Sequence, residues 1–326
     1  MNLNKKNTSV KSLDPEIFWM YTYRSWFALS GLLSILMITA FLTPIEQGVV
    51  FTMLSLIGAQ TLFELGLSQA IVPIISKEHT LINQETQKHS KRIQKILRMI
   101  TLWYIVCAIM FTLFLIPVGI FIFYQEEGIS FSIWLYPWCL LVLSSSINLS
   151  LISKYSFFEG IGQILGVTKI RTIQSIIGFN LMFLVLLFDG GIWALCAIPL
   201  SANLCTFFWL FYNPVPKIYA RGKSLQNLES SINWKDDILP LQWRFGISWL
   251  SGYASTHLLV PITFATIGAI SAGKIGITIA TLNAILLISL SPITAKYPKM
   301  AALIAQNRTN DLNRLFKLLL KQGFLI

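Results

Sequence analysis

Gln60, Glu64 and Ser68 recur every four residues in the apolar run QTLFELGLSQAIV, with Thr61 beside them. On a continuous helix that spacing draws one polar stripe, while Leu62, Leu65 and Ile71 cover other faces. A carboxylate there has two uses. It can bind a proton or cation and couple to an ion gradient, or it can neutralise a basic partner. His257, deep in another apolar run, is either a second proton carrier or a packing histidine. Arg24 and Arg244 fall within two turns of the expected ends of their runs, where they could meet an anion or simply snorkel. No nucleophile–base set, metal-ligand cluster or phosphate loop accompanies these residues, so an enzyme is the least expected class and no metal or cofactor is implied.

The surroundings explain why one acid is conspicuous. The 326 residues are 55% hydrophobic and 12% charged, with a mean hydropathy of +0.66, against roughly 25% charged in soluble domains. Runs of bilayer length fall at about 19–43, 48–75, 99–123, 131–153, 168–188, 191–212, 243–267 and 274–295, with a ninth beginning near Arg314. The predicted class is an all-α, polytopic membrane protein. The first run is too long for a signal peptide and reads as an uncleaved span. Cys107, Cys139, Cys196 and Cys205 all lie within runs and read as small packing residues.

The loops alternate in charge. Of the 25 Lys and Arg, all but Lys274 fall on one side, and Glu46, Glu126, Glu127 and Asp189 fall on the other. The positive-inside rule therefore puts the N-terminus in the cytoplasm. The net charge of +11 follows from that asymmetry and calls for no nucleic-acid partner. Residues 76–98 carry Lys88, Lys91, Arg92, Lys95 and Arg98 at helical spacing and predict an interfacial helix on anionic headgroups, or a docking surface for an anionic lipid-linked substrate.

Three segments follow: a six-helix bundle over 1–212, a cytoplasmic linker over 213–240 opened by Asn213-Pro214-Val215-Pro216, and a partial second bundle over 241–326. RSWFALSG (24–31) and RFGISWLSG (244–252) open matching spans, a weak internal repeat of the kind that places a substrate path between two halves. If six spans make one half, the second bundle is incomplete, and a truncated chain is expected. Further polar positions (Ser144, Ser145, Ser146, Asn148, Ser248, Ser251, Ser255, Thr278, Thr281 and Asn283) read mainly as close-packing residues. Pro117, Pro137, Pro199 and Pro261 permit bends.

Three stretches then resemble one family. LTPIEQGVVFTMLSLIGAQTLFELGLSQAIV (42–72) resembles the span-two region of Wzx-type flippases, the O-antigen and polysaccharide translocases of the MOP superfamily. FFEGIGQILGVTKIR (157–171) is similar to their segment between spans four and five. SPITAKYPKMAALIAQNRTNDLNRLF (291–316) is similar to their segment after span eight. By position, Glu46, Gly48, Glu64 and Gly66 fall in the first motif, and Glu159, Gly160 and Gln163 in the second. The resemblance implies a MATE-like pair of bundles that moves an undecaprenyl-diphosphate-linked oligosaccharide across a bacterial inner membrane by alternating access. Arg24, Arg244, Lys169 and Arg171 are then the candidates for the diphosphate, and Gln60, Glu64, Ser68 and His257 for coupling. Membrane lipids, the polysaccharide polymerase and the chain-length regulator of the same pathway are the implied partners. The alternatives are a MATE-type exporter of small molecules and a non-transporting remnant.

Overall fold

The computed structural model describes residues 15–82, 86–126, 128–216, 219, 238–305 and 309–325. Among them the secondary structure is all helical, which in hydrocarbon satisfies every backbone group locally. The helices are α1 (Pro15–Phe41), α2 (Pro44–Ile57), α3 (Gln60–Glu64), α4 (Leu67–Thr80), α5 (Thr86–Phe123), α6 (Phe131–Gly160) and α7 (Ile164–Leu187). A 3-10 turn, Gly191–Cys196, leads into α8 (Ala197–Tyr212); α9 (Leu239–Thr256), α10 (Leu259–Ile267), α11 (Ala269–Ala305) and α12 (Thr309–Leu325) complete the chain. Seven helical segments of the described residues are long and apolar enough to cross a membrane. The chain is a multi-pass membrane protein.

Three expectations change. The run 243–267 is not one rod, because α9 ends at Thr256 and α10 starts at Leu259. The expected ninth span is the helix α12, which carries Arg314 and Lys317 and is not among the seven apolar segments. Residues 76–98 form no separate interfacial helix. They divide between the end of α4 and the start of α5, which runs unbroken into its span. Buried Glu78 holds the two together, bonding Arg92 Nη1 at 3.0 Å and His89 Nδ1 at 2.8 Å, while Ile93, Ile96 and Leu97 turn into the core. That inward apolar face packs the segment against the rest of the protein. Most of the linker 213–240 lies outside the described residues, as do the first 14 residues.

The α1–α2 corner is built from the motif L-T-P-x-E-Q-G. Thr43 caps α2 in a capping box with Glu46, and Pro44 takes the first turn, where its missing N–H costs nothing. Gln47 Nε2 donates to the Leu42 carbonyl at 2.8 Å and the Thr39 carbonyl at 3.3 Å, satisfying the end of α1. Gly48 then lets α11 approach: a Cβ there would lie 2.0 Å from the Ala269 carbonyl oxygen. Gly273 and Gly276 continue this seam, against the Gly48 backbone and against Phe51. Across the same seam the Ala269 N–H, at the start of α11, donates to Glu126 Oε2 at 3.0 Å, a carboxylate at a helix N-terminus. Phe123 joins Trp134, Trp138 and Phe264 in an aromatic cluster at this end, with centroids 5.3–5.6 Å from its own. The acidic-loop end of the molecule is therefore shut where α2 meets α10 and α11.

A Gly48→Leu variant is expected to lower the thermal unfolding midpoint of the detergent-purified chain, since overpacking costs about 1–3 kcal/mol and the obstacle here is backbone. Gly31→Leu is the control, because a Cβ at Gly31 meets nothing within 4 Å; its midpoint should stay at the wild-type value.

Candidate functional site

Span two breaks twice, and the candidate residues gather at the breaks. At the first, the Ala59 N–H turns to the Leu56 carbonyl at 3.0 Å in place of the Ser55 carbonyl, its partner in a regular α-helix. Tyr253 Oη, from α9, donates to Ser55 O at 3.4 Å. His257 stacks on the Tyr253 ring, centroids 5.4 Å apart, and fills the space beside Gly58, where a Cβ would lie 2.9 Å from its Nδ1. His257 itself marks the break between α9 and α10. The two interrupted spans thus meet break to break.

At the second break, Leu65 and Gly66 both adopt positive φ, 50° and 67°. Glycine is required at 66 for a second reason: a Cβ there would fall 2.4 Å from the Phe245 Cβ of α9. The left-handed break separates Glu64, the last residue of α3, from Ser68 in the first turn of α4, so the stripe expected from the spacing is not one face of one helix. The three residues do not all converge either. Ser68 Oγ donates to Glu64 Oε1, and so does Tyr104 Oη of α5, at 3.0 Å. Gln60 stands one turn back, half-buried, outside this network.

Glu64 is 6% exposed, and its bonding partners are hydroxyls. Among the described residues no ion pair to Glu64 is present. Its carboxylate turns towards α5 within the first bundle, while the neighbouring Leu65 and Gly66 touch α9 of the second. Phe63 completes the motif F-E-L-G by packing on Phe111 at 5.5 Å and accepting from Cys107 Sγ at 3.2 Å through its carbonyl. Tyr104 and Tyr253 escaped the sequence reading. Their only signal was a hydroxyl-bearing ring in mid-span, which packing alone would also explain.

The basic candidates separate into two kinds. Arg171 bonds Glu159 at 3.2 Å and lies 5.1 Å over the Tyr155 ring; Lys169 lies 5.6 Å over Trp19. These are tethered. Arg24 on α1 and Arg244 on α9 are exposed and make no ion pair with any described residue. The motif E-G-x-x-Q is a tight hairpin: Gly160 admits Ile75, whose Cβ would be 2.6 Å from an added methyl, Gly162 takes φ +85°, and Gln163 is exposed at the start of α7. Behind it, Gln174, Tyr155 and Thr206 close a buried triangle of hydrogen bonds at 2.6–2.7 Å.

No known protein family's sequence profile and no curated protein matches the chain. Among solved structures, the inward-facing conformation of a multidrug resistance MATE family transporter of the MOP superfamily superposes with a TM-score of 0.57. The match covers 91% of this chain and 71% of that one, at 14% identity. The chain has the MOP/MATE-like transporter fold.

The hydroxyl cradle makes a graded test. Glu64→Gln can still accept from Tyr104 and Ser68 and should leave the unfolding midpoint near wild type. Glu64→Ala strands the buried Tyr104 hydroxyl, at about 1–3 kcal/mol, and leaves the half-buried Ser68 hydroxyl without its acceptor. It should lower the midpoint measured by tryptophan fluorescence in detergent.

Proposed function

We propose that this protein is a membrane transporter that works by alternating access between its two bundles, and that its substrate is an undecaprenyl-diphosphate-linked oligosaccharide. The observation that carries the reading is the pairing of two interrupted spans, one per bundle, at Gly58–His257 and Gly66–Phe245. Broken helices at mid-membrane are where transporters set substrate and coupling sites, because irregular backbone is tolerated only against protein or a watery path. With the N-terminus cytoplasmic, the shut end at Gly48, Ala269 and Glu126 faces outward.

The substrate reading is supported by charge. Arg24 and Arg244, on the opening helix of each bundle, are exposed cations, while the one buried acid of span two is already held by hydroxyls. Such a surface suits an anion: a diphosphate accepts from two guanidinium groups while the prenyl tail stays in lipid. Glu64 is the coupling residue of this scheme, binding a proton or cation between Ser68 and Tyr104. A MATE-type exporter of small molecules is the second reading, favoured by the fold of the multidrug transporter it superposes on.

Deletion of the gene in its host is expected to abolish the surface polysaccharide and to accumulate lipid-linked oligosaccharide in the inner membrane. Complementation with Arg24→Ala plus Arg244→Ala, at equal membrane abundance, should leave flipping at least tenfold below wild type, since a hydrogen bond to a charged group is worth about 1.5–3 kcal/mol. Glu64→Gln should fold and localise yet flip slowly. An unchanged surface glycan with raised sensitivity to cationic compounds would instead support the exporter.

A further inference from the structure

Away from both breaks, α5 and α6 leave an open groove of about 320 Å³ along their outer face. Its floor is small and hydroxylated: Ala108 and Thr112 from α5, Ser146 and Ser150 from α6, with Ile105 and Ile109 as a rim. The floor hydroxyls are already satisfied. Thr112 Oγ1 donates to Ser146 Oγ at 2.8 Å, Ser146 Oγ to the Ala108 carbonyl at 2.7 Å, and Ser150 Oγ to the Ile147 carbonyl at 2.7 Å. Paired hydroxyls present their carbon faces to whatever lies in the groove, so the occupant is apolar along this length. The rim residues Ile105 and Ile109 are 42% and 54% exposed, and no third helix lines the groove.

The basic end of the groove is different. One turn beyond Ser150 on α6 stands Lys154, and one turn before Ile105 on α5 stands Thr101. Lys154 Nζ donates to Thr101 Oγ1 at 3.4 Å and has no carboxylate within ion-pair distance among the described residues. Arg98 and Lys95, both exposed, follow on the cytoplasmic side of Thr101 along α5. Counted from the last apolar residues of each span, this is headgroup depth, since about 20 helical residues cross the hydrocarbon. An apolar slot ending in an ammonium and a hydroxyl, at the level of the phosphates, has the charge pattern of a single amphiphile.

We propose that this groove is a binding site for an anionic glycerophospholipid. One acyl chain lies along Ala108, Thr112, Ser146 and Ser150, and the phosphate accepts from Lys154, which Thr101 Oγ1 steadies while donating to the Leu97 carbonyl at 2.7 Å, with Arg98 at its edge. The ligand is a resident lipid of the basic-side leaflet, separate from the transported molecule, and the proposal stands on the groove alone whatever the substrate proves to be. Basic residues near the surface attract anionic headgroups generally; the groove adds the chain contact that would make one lipid stay.

The test is native mass spectrometry of the full chain released from detergent after exchange with phosphatidylglycerol or phosphatidylcholine of identical acyl chains. Retention of one phosphatidylglycerol per chain, at least tenfold over phosphatidylcholine, is expected. Lys154→Gln should abolish that preference and Lys154→Arg should restore it. Ser150→Leu, which fills the slot and keeps the charge, should release the lipid too, while Lys274→Gln at the opposite end should change nothing. Equal retention of the two lipids, or a preference that survives both Lys154→Gln and Ser150→Leu with the far-ultraviolet helical signal intact, overturns the site.

Discussion

An ionisable group and a broken backbone are both costly in hydrocarbon, and in this protein they occupy the same few residues. Span two gives up regular hydrogen bonding at Gly58–Ala59 and again at Leu65–Gly66. The carboxylate of Glu64 lies at the second break. What makes this tolerable is that each exposed polar group has found protein: Tyr104 and Ser68 for the carboxylate, Tyr253 for the Ser55 carbonyl. Those partners come from α5, α9 and the far side of the break in α4, so the satisfaction of one irregular span ties two others to it.

The same constraint sets how the bundles meet. α9 and α10 run antiparallel to span two, with Phe245 against Gly66, His257 against Gly58 and, just past α10, Ala269 against Gly48. Between apolar helices in lipid there is no hydrophobic drive to associate, and close van der Waals approach must supply the contact. Glycine permits that approach at Gly48 and Gly273, where backbone meets backbone, and at Gly276, which meets the Phe51 side chain. The Glu126 carboxylate at the N-terminus of α11 adds an electrostatic tie at the acidic end alone. The molecule is thus tied at its acidic end and carries hydroxyl-lined breaks at its middle.

The motif residues sort by role once their neighbours are known. Glu46, Gly48, Gly160 and Gly66 are explained by a cap, a seam, a hairpin and a close approach, with no ligand needed. Lys169 and Arg171 are occupied by Trp19, Tyr155 and Glu159. Of the charged candidates, Arg24, Arg244 and Glu64 keep chemistry to spare.

Hydropathy by itself determined the class of this protein. Period, length and charge count are local properties of a chain in lipid, so the apolar spans, their helical nature and the oddity of Glu64 were all legible residue by residue. The Thr43–Glu46 capping box was legible in the same way, being set by four consecutive residues. Where helices break was partly so: Pro261 has no N–H for the His257 carbonyl four residues back, whereas nothing in the residue type of Leu65 announces its positive φ. Only the tertiary structure decided that Glu64 is held by hydroxyls, that Tyr104 and Tyr253 belong to the site, and that residues 86–98 extend a span. Each of those depends on residues 40 to 200 positions apart meeting at a few ångströms, and no spacing along one helix carries that information.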